Sequence, residues 1–441
     1  MFSVDAVDLF FIAALDDTQI LASTSFSGIV LFFTISVSIG FSIVTGTMCA
    51  KAIGAGQHEL AKKIITTSAL IAFVLGLAIA ALVYAALPLA LDLLKAEGAI
   101  KDYALLYLGI IIPSFPLLSV SMALGAVLRS YGDGKRAMNT ILVASLVNAV
   151  FDPIFIFWFD WGLAGAAWAS VLARVASLAA SLWPILRYYG GFCAVDRTSL
   201  ISLSAEFLSR SPNAILQNVA TPLGMAAITA LLAGYGAEVM AGNTVIARIF
   251  PIIFAVSYGL SGAIASIVGQ NYGAQRFDRV REAMYASYLF LFVYSLFASL
   301  IVLLLTPWFV QIFNLEGQAI FIMNIVAWGF SFIGFFNGVL FVTNGIFNSL
   351  GHSRYSAGLN WARHVFIMLP LLYLCNWLFG LVGIFAAQMI NAVLIALLSY
   401  IIALRLIDHV EHCSQAERDQ HKPPVFRWYL PRSAAVIRRN G

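Results

Sequence analysis

Gly54-Ala55-Gly56-Gln57-His58-Glu59-Leu60-Ala61-Lys62 returns in outline 219 residues later as Gly273-Ala274-Gln275-Arg276-Phe277-Asp278-Arg279-Val280-Arg281. In both stretches a Gly-Ala pair is followed by an acid and then a base at the same spacing. At the same offset Gly132, with Arg129 before it and Lys135-Arg136 after it, matches Gly351 and Arg354. At an offset of 218, Gly162-Leu163-Ala164-Gly165 matches Gly380-Leu381-Val382-Gly383. The chain of 441 residues therefore reads as two copies of one half. In membrane proteins such duplication is the plan of transporters, with a substrate path between the repeats.

The composition places both copies in a bilayer. The chain is 61% hydrophobic and 10% charged, with mean hydropathy +0.92. Soluble domains carry roughly 25% charged residues. Apolar stretches long enough to cross ~30 Å of hydrocarbon as helix lie near 20–48, 66–93, 103–128, 137–158, 163–187, 207–233, 239–268, 284–313, 319–348, 357–378 and 381–406. The runs are continuous rather than alternating, which argues against a barrel. Residues 1–15 are apolar too but reach only ~22 Å as helix. They lack a basic lead and a cleavage site, so they read as part of a twelfth span whose beginning lies upstream. The expected fold is an all-α integral membrane protein with twelve transmembrane helices, the first apparently truncated, in two pseudo-symmetric six-helix lobes. Residues 1–195 are expected to form the N-terminal lobe and 196–406 the C-terminal lobe. Residues 407–441 read as a polar cytoplasmic tail.

Charge sets the orientation. Lys and Arg concentrate in 49–64, 129–136, 187–212, 271–283, 349–356 and the tail, while the opposite loops hold only Lys95 and Lys101. By the positive-inside rule the basic loops are cytoplasmic, and an even number of spans puts both termini there, in a cell (inner) membrane. The net charge of +4 thus reports topology, and no nucleic-acid partner is expected. Cys49, Cys193, Cys375 and Cys413 show no metal or redox spacing, and the six histidines form no ligand pair. No phosphate-binding glycine loop of the Walker type occurs, so the chain carries no ATPase of its own. No ATPase subunit, cofactor or enzymatic activity is expected. The partners are small organic substrates and membrane lipid.

Ionisable groups inside membrane helices are costly and are candidate functional groups. Asp8 lies in the short first span and Asp5 one turn before it. Asp152 lies in Asn148-Ala149-Val150-Phe151-Asp152-Pro153. Asn148 and Asp152, four apart, share a helix face, and Pro153 frees the Ala149 carbonyl. A carboxylate, an amide oxygen and a free carbonyl suit a proton or Na⁺; a contact bridging helices is the other reading. Arg174 is either a counter-charge for Asp8 or Asp152 or a donor to backbone carbonyls. Arg248 and Arg363, nearer span ends, are expected to snorkel or pair locally. The second half has no buried carboxylate. Its Gln217, Asn218, Thr221, Asn337 and Asn344 are candidates to line the substrate cavity or to bond between helices.

Together these residues resemble the multidrug and toxic compound extrusion (MATE) family. The likeness runs through Val7-Asp8, Gly54-Ala55-Gly56, Arg129-Ser130-Tyr131-Gly132-Asp133, Asn148 to Phe155, Gly162 to Ala167 and Val268 to Ala274. It implies two six-helix lobes facing each other across a cavity. It also implies export of amphipathic, often cationic organic compounds in exchange for H⁺ or Na⁺. In the branch that couples through the first lobe, the implied ion site is Asp8, Asn148, Asp152 and Ser170, where the family often has Thr at the last position. The acids of the branch that couples through the second lobe are missing here. A lipid-linked-precursor flippase of the same superfamily is the alternative, but it needs a cationic cavity, and only Arg174 reads as deep enough. A non-transporting or inactive membrane protein is the third reading.

Overall fold

A computed structural model describes Phe11 and residues 17–313 and 315–420. Among the described residues the regular structure is all helical. The first half contains α1 (Thr18–Gly54), α2 (His58–Leu93), α3 (Gly98–Ile111), α4 (Phe115–Ser130), α5 (Gly134–Pro153) and α6 (Gly162–Tyr188). The second contains α7 (Arg197–Ala233), α8 (Ala237–Gly273), α9 (Phe277–Ile312), α10 (Gln318–Ser349), α11 (Ser353–Trp361) and α12 (Met368–Gln420). A 3₁₀ turn, Ile112–Ser114, joins α3 to α4, and π turns follow α5 (Ile154–Trp158) and α11 (Ala362–Phe366).

Among the described residues, ten helical stretches are long and apolar enough to cross a bilayer, and Gln318–Gly329 is a shorter apolar one. The last of the ten runs from Ser353 to Gln415, 63 residues. As straight helix it would extend ~95 Å, about three hydrocarbon cores. Gly380 divides it into two crossings, with φ 58° and ψ −138°, a backbone that a residue with a Cβ rarely adopts.

The repeat is written in the turns as well as in the residues. Gln57, Asp133, Arg276 and His352 each donate their backbone N–H to the carbonyl five residues earlier, at 2.9, 3.0, 2.8 and 2.8 Å. The residue before each has positive φ: Gly56, Gly132, Gln275 and Gly351. This is one glycine-type helix cap at two pairs of positions 219 apart, and it recurs where Ala96 N–H reaches Leu91 O at 3.0 Å with Lys95 at positive φ. Gly98 and Gly317 (φ 56° and 50°) form a further pair at that offset, and Gly162 and Gly380 one at 218. Asp17, Asp133 and Asp196 start α1, α5 and α7 by accepting backbone N–H bonds from Gln19, Arg136 and Ser199.

The halves touch near the face that carries the basic loops. A Cβ on Gly54 would lie 1.9 Å from the Gln270 carbonyl oxygen, and one on Gly273 2.1 Å from that of Lys51. At that crossing α1 and α8 therefore meet backbone to backbone. Gly269 faces Ala50 in the same seam, and Gln270 donates to the Ser130 carbonyl at 2.6 Å. The first part of α7 packs into the first half, where Phe207 meets Phe41 with ring centroids 5.6 Å apart. Its last turns join a cluster of the second half around Leu232, Val239 and Ile384. Toward the opposite face Leu87, Leu91, Leu108 and Phe115 form a cluster within the first half, and it is there that the family resemblance puts a cleft between the halves.

The segment expected to begin the tail at 407 is helical to Gln420. Ile407 and Val410 are buried, and Arg281 donates to both Asp408 and Glu411 at 2.6 Å. This anchor holds the end of α12 against α9.

Candidate functional site

Asn148 and Asp152 are both fully buried, at 0% exposure, on α5. The Asn148 amide Nδ2 donates to Asp152 Oδ1 at 3.2 Å. Asn148 Oδ1 is buried with no hydrogen-bond partner among the described residues, an acceptor held away from water. Such a group carries a desolvation cost until something donates to it or coordinates it. The pairing follows from the sequence: residues four apart on a helix stand one turn above each other.

Pro153 cannot donate, and the ring disfavours a regular continuation. The backbone answers with the π turn Ile154–Trp158, in which Phe159 N–H reaches back to Ile154 O at 2.9 Å. Neighbouring α6 closes on this turn through Gly165, whose Cβ would lie 2.6 Å from the Phe155 carbonyl. So Gly165 of the repeated glycine motif allows α6 to lie against the widened end of α5. Ser170 is half-buried one turn and a half further along α6.

Arg174, one turn beyond Ser170, donates to the Ile111 carbonyl at 3.0 Å and to Ser114 Oγ at 2.9 Å. The 3₁₀ turn with Pro113 interrupts the helix there and leaves Ile111 O available. Of the two readings of Arg174, bonding to a backbone carbonyl is present. Asp8 and Asp5 lie outside the described residues. Asn148 and Asp152 are thus in contact, and Ser170 lies on the helix packed beside them.

The second-half candidates divide. Gln217 Oε1 accepts from Asn348 Nδ2 at 3.1 Å, Thr221 Oγ1 lies 3.4 Å from His364 Nε2, and Asn218 donates to the Ala214 carbonyl at 2.9 Å. These are contacts between or along helices. Asn337 is half-buried on α10. Asn344 is buried, and its Oδ1 has no partner among the described residues.

Of the two expectations for Arg363, snorkelling or local pairing, a local contact is present. Arg363 sits on the second π turn, about 15 Å along the helix from Ser353, with its guanidinium 5.3 Å above the Phe341 ring. Asn391 donates to its carbonyl at 2.8 Å. The Phe341 ring packs on Tyr258 with centroids 4.6 Å apart. A glycine again meets the π turn: a Cβ on Gly224 of α7 would lie 2.8 Å from His364 Nδ1. Arg174 is therefore not alone among deep cations. The sequence signal was Arg363-His364 inside an apolar run, but its depth depends on where the helix starts and widens.

The profile of the MatE family matches residues 1–154 and 214–374. A FAD transporter of Shewanella oneidensis is 25% identical over 419 residues, covering 92% of this chain and 90% of that protein. The multidrug export protein MepA of Staphylococcus saprophyticus is 22% identical over 423 residues, with the same coverage of 92% and 90%. Among solved structures, the Vibrio cholerae MATE transporter VcmN in its bent form superposes with TM-score 0.86 at 21% identity, covering 92% of this chain and 93% of that one. A MOP superfamily transporter from Pyrococcus furiosus gives TM-score 0.84 at 19% identity, covering 92% of each. The duplicated half, the helical membrane architecture and the profile match over most of the chain agree, and the chain belongs to the MatE family of multi-pass membrane transporters.

Proposed function

We propose that the protein is a secondary active antiporter that exports organic compounds across a cell membrane in exchange for H⁺ or Na⁺. The observation that carries this reading is the buried Asn148–Asp152 pair beside the Pro153 break. Asp8 and Ser170 complete the proposed ion site. Its oxygen donors suit a proton or a hard cation, and Na⁺ would be cargo there rather than a resident metal. The names of two relatives, a FAD transporter and a multidrug export protein, support movement of organic solutes. The basic face is proposed as cytoplasmic, with both termini on that side. The contact of α1 with α8 at the basic face supports a reading in which the substrate path is closed on that side. Protonation or Na⁺ binding at Asp152 would remove a buried charge and favour one packing of the first half, which biases the exchange between the two openings.

The test is movement of fluorescent organic solutes in proteoliposomes, with a pH gradient and a Na⁺ gradient imposed separately. Transport driven by one of them, and lost when it is collapsed, is expected. Solute movement indifferent to both would overturn ion coupling.

A further inference from the structure

Two arginines near α8 have no acidic partner among the described residues. Arg129 comes from α4 in the first half, and Arg363 from the π turn after α11 in the second. The ion pairs among the described residues include neither. Arg129 Nη2 donates to Ser42 Oγ at 3.3 Å, and its Nε lies 3.6 Å from where a Cβ on Gly262 of α8 would stand. Arg363 has the Phe341 ring beneath it, and Phe341 packs on Tyr258.

Both arginines are thereby referred to one face of α8. Gly273, Gly269 and Gly262 mark that face where it meets the first half. Tyr258 is one turn further from the basic face, about 6 Å along the axis. It is 45% exposed. One guanidinium from each half thus lies along that face of α8, where the proposed cleft would have its floor, beside two aromatic rings in tilted contact.

A cation kept away from water without a fixed counter-charge is costly. At a place open to cargo, the missing counter-charge is one the cargo brings. Guanidinium groups favour phosphate and carboxylate, which they bind through paired N–H donors. An exposed aromatic ring such as that of Tyr258 favours a planar aromatic body. Asp152, the carboxylate deep in an intact span, is already bonded to Asn148.

We infer that the cleft accepts aromatic organic anions, and that Arg129 and Arg363 hold the anionic group between the two halves. The inference rests on the transporter reading and narrows its substrate class, away from the cationic compounds that the sequence resemblance implies.

The experiment uses purified protein in proteoliposomes, energised as above, and four fluorescent probes. Riboflavin and flavin mononucleotide share one ring system and differ by a phosphate. Carboxyfluorescein carries carboxylates instead, and ethidium is an aromatic cation. Flavin mononucleotide should move about tenfold faster than riboflavin, the effect of one charge-assisted contact. Movement of carboxyfluorescein as well identifies a general anion site, and its exclusion a phosphate site; each outcome supports the inference. Arg363→Gln and Arg129→Gln should each reduce the mononucleotide-to-riboflavin ratio about tenfold, with partial recovery in Arg363→Lys. Quenching of flavin mononucleotide by purified variants in detergent gives the same comparison for binding, on samples shown to be monodisperse. Equal rates for the two flavins, or an unchanged ratio in both variants, would overturn the inference. Ethidium transport without anion transport overturns it and leaves the antiporter intact. Failure of all four probes under both gradients removes the antiporter and this inference together.

Discussion

Asp152 has an amide one turn before it and a proline directly after it, and both neighbours are part of its chemistry. Asn148 fixes one carboxylate oxygen, and Pro153 ends the regular hydrogen-bond ladder beside it. Asp152→Asn keeps the size and the amide contact but can neither exchange a proton nor neutralise a cation. Gradient-driven transport should fall at least about tenfold, with insertion and melting temperature near wild type. Near-normal transport in well-inserted Asp152→Asn would remove the residue from the coupling site. Asp133 gives a prediction of a different kind. Burial acts to raise its pKa, but bonds from Tyr189 and Arg136 outweigh this and hold the carboxyl below its usual range. With the folded pKa depressed, its stabilisation is present above the ordinary carboxylate pKa of about 4 and is lost as pH falls through the folded value. Asp133→Ala should cost about 1 kcal/mol near pH 7, from the lost helix cap. Thermal unfolding in detergent should show that difference shrinking toward pH 3. Asn148 and Asp152 were legible in the sequence because their contact lies within one helix. Arg363 was not, because its depth comes from a π turn and from Phe341, twenty-two residues earlier on another helix.

The elements show which parts of the repeat are under constraint. Four of the caps that share one hydrogen-bond pattern stand in pairs 219 apart, yet in one of these four the residue at positive φ is Gln275, where the matching turn has Gly56. A side chain in the left-handed region costs roughly 1 kcal/mol. Gln275→Gly should therefore raise the unfolding free energy by an amount of that order, read as a higher melting temperature in detergent. An unchanged or lower value would show that Gln275 makes compensating contacts. Each π turn is met by a glycine of a neighbouring helix, Gly165 at the first and Gly224 at the second. Sequence predicted the glycine motif at 162–165 and the proline break. It did not predict the π turns, because a widened turn is a compromise between the helix and the neighbour packed on it.

At the scale of the molecule, the proposed exchange between two openings requires the seam of α1 and α8 to part. Ala50 and Gly269 face each other across it, with the Ala50 Cβ 2.7 Å from an ideal Cβ on Gly269. That is closer than the ~3.8 Å usual between disulfide-linked Cβ atoms, so a modest adjustment brings two thiols into range. The pair Ala50→Cys and Gly269→Cys, made in a Cys49→Ser background, should cross-link on oxidation and stop transport, and reductant should restore it. Continued transport by the cross-linked protein would show that this seam need not open. The two-fold plan, the basic face and the membrane class were all readable from the sequence, since each depends on spacing and composition. The partition of α7 between the halves was not, because it depends on tertiary contacts such as Phe207 with Phe41. The bare crossing at Gly54 and Gly273 has a mechanical consequence. Backbones that touch without intervening side chains act as a fulcrum with almost no slack. From Gly273 to Tyr258 the arm of α8 is ~22 Å long, so a tilt of roughly 10° at the pivot displaces its far end by about 4 Å. Any side chain at the pivot would push the arms apart and change that leverage, so these two glycines set how far the mouth of the cleft travels for each degree of rocking.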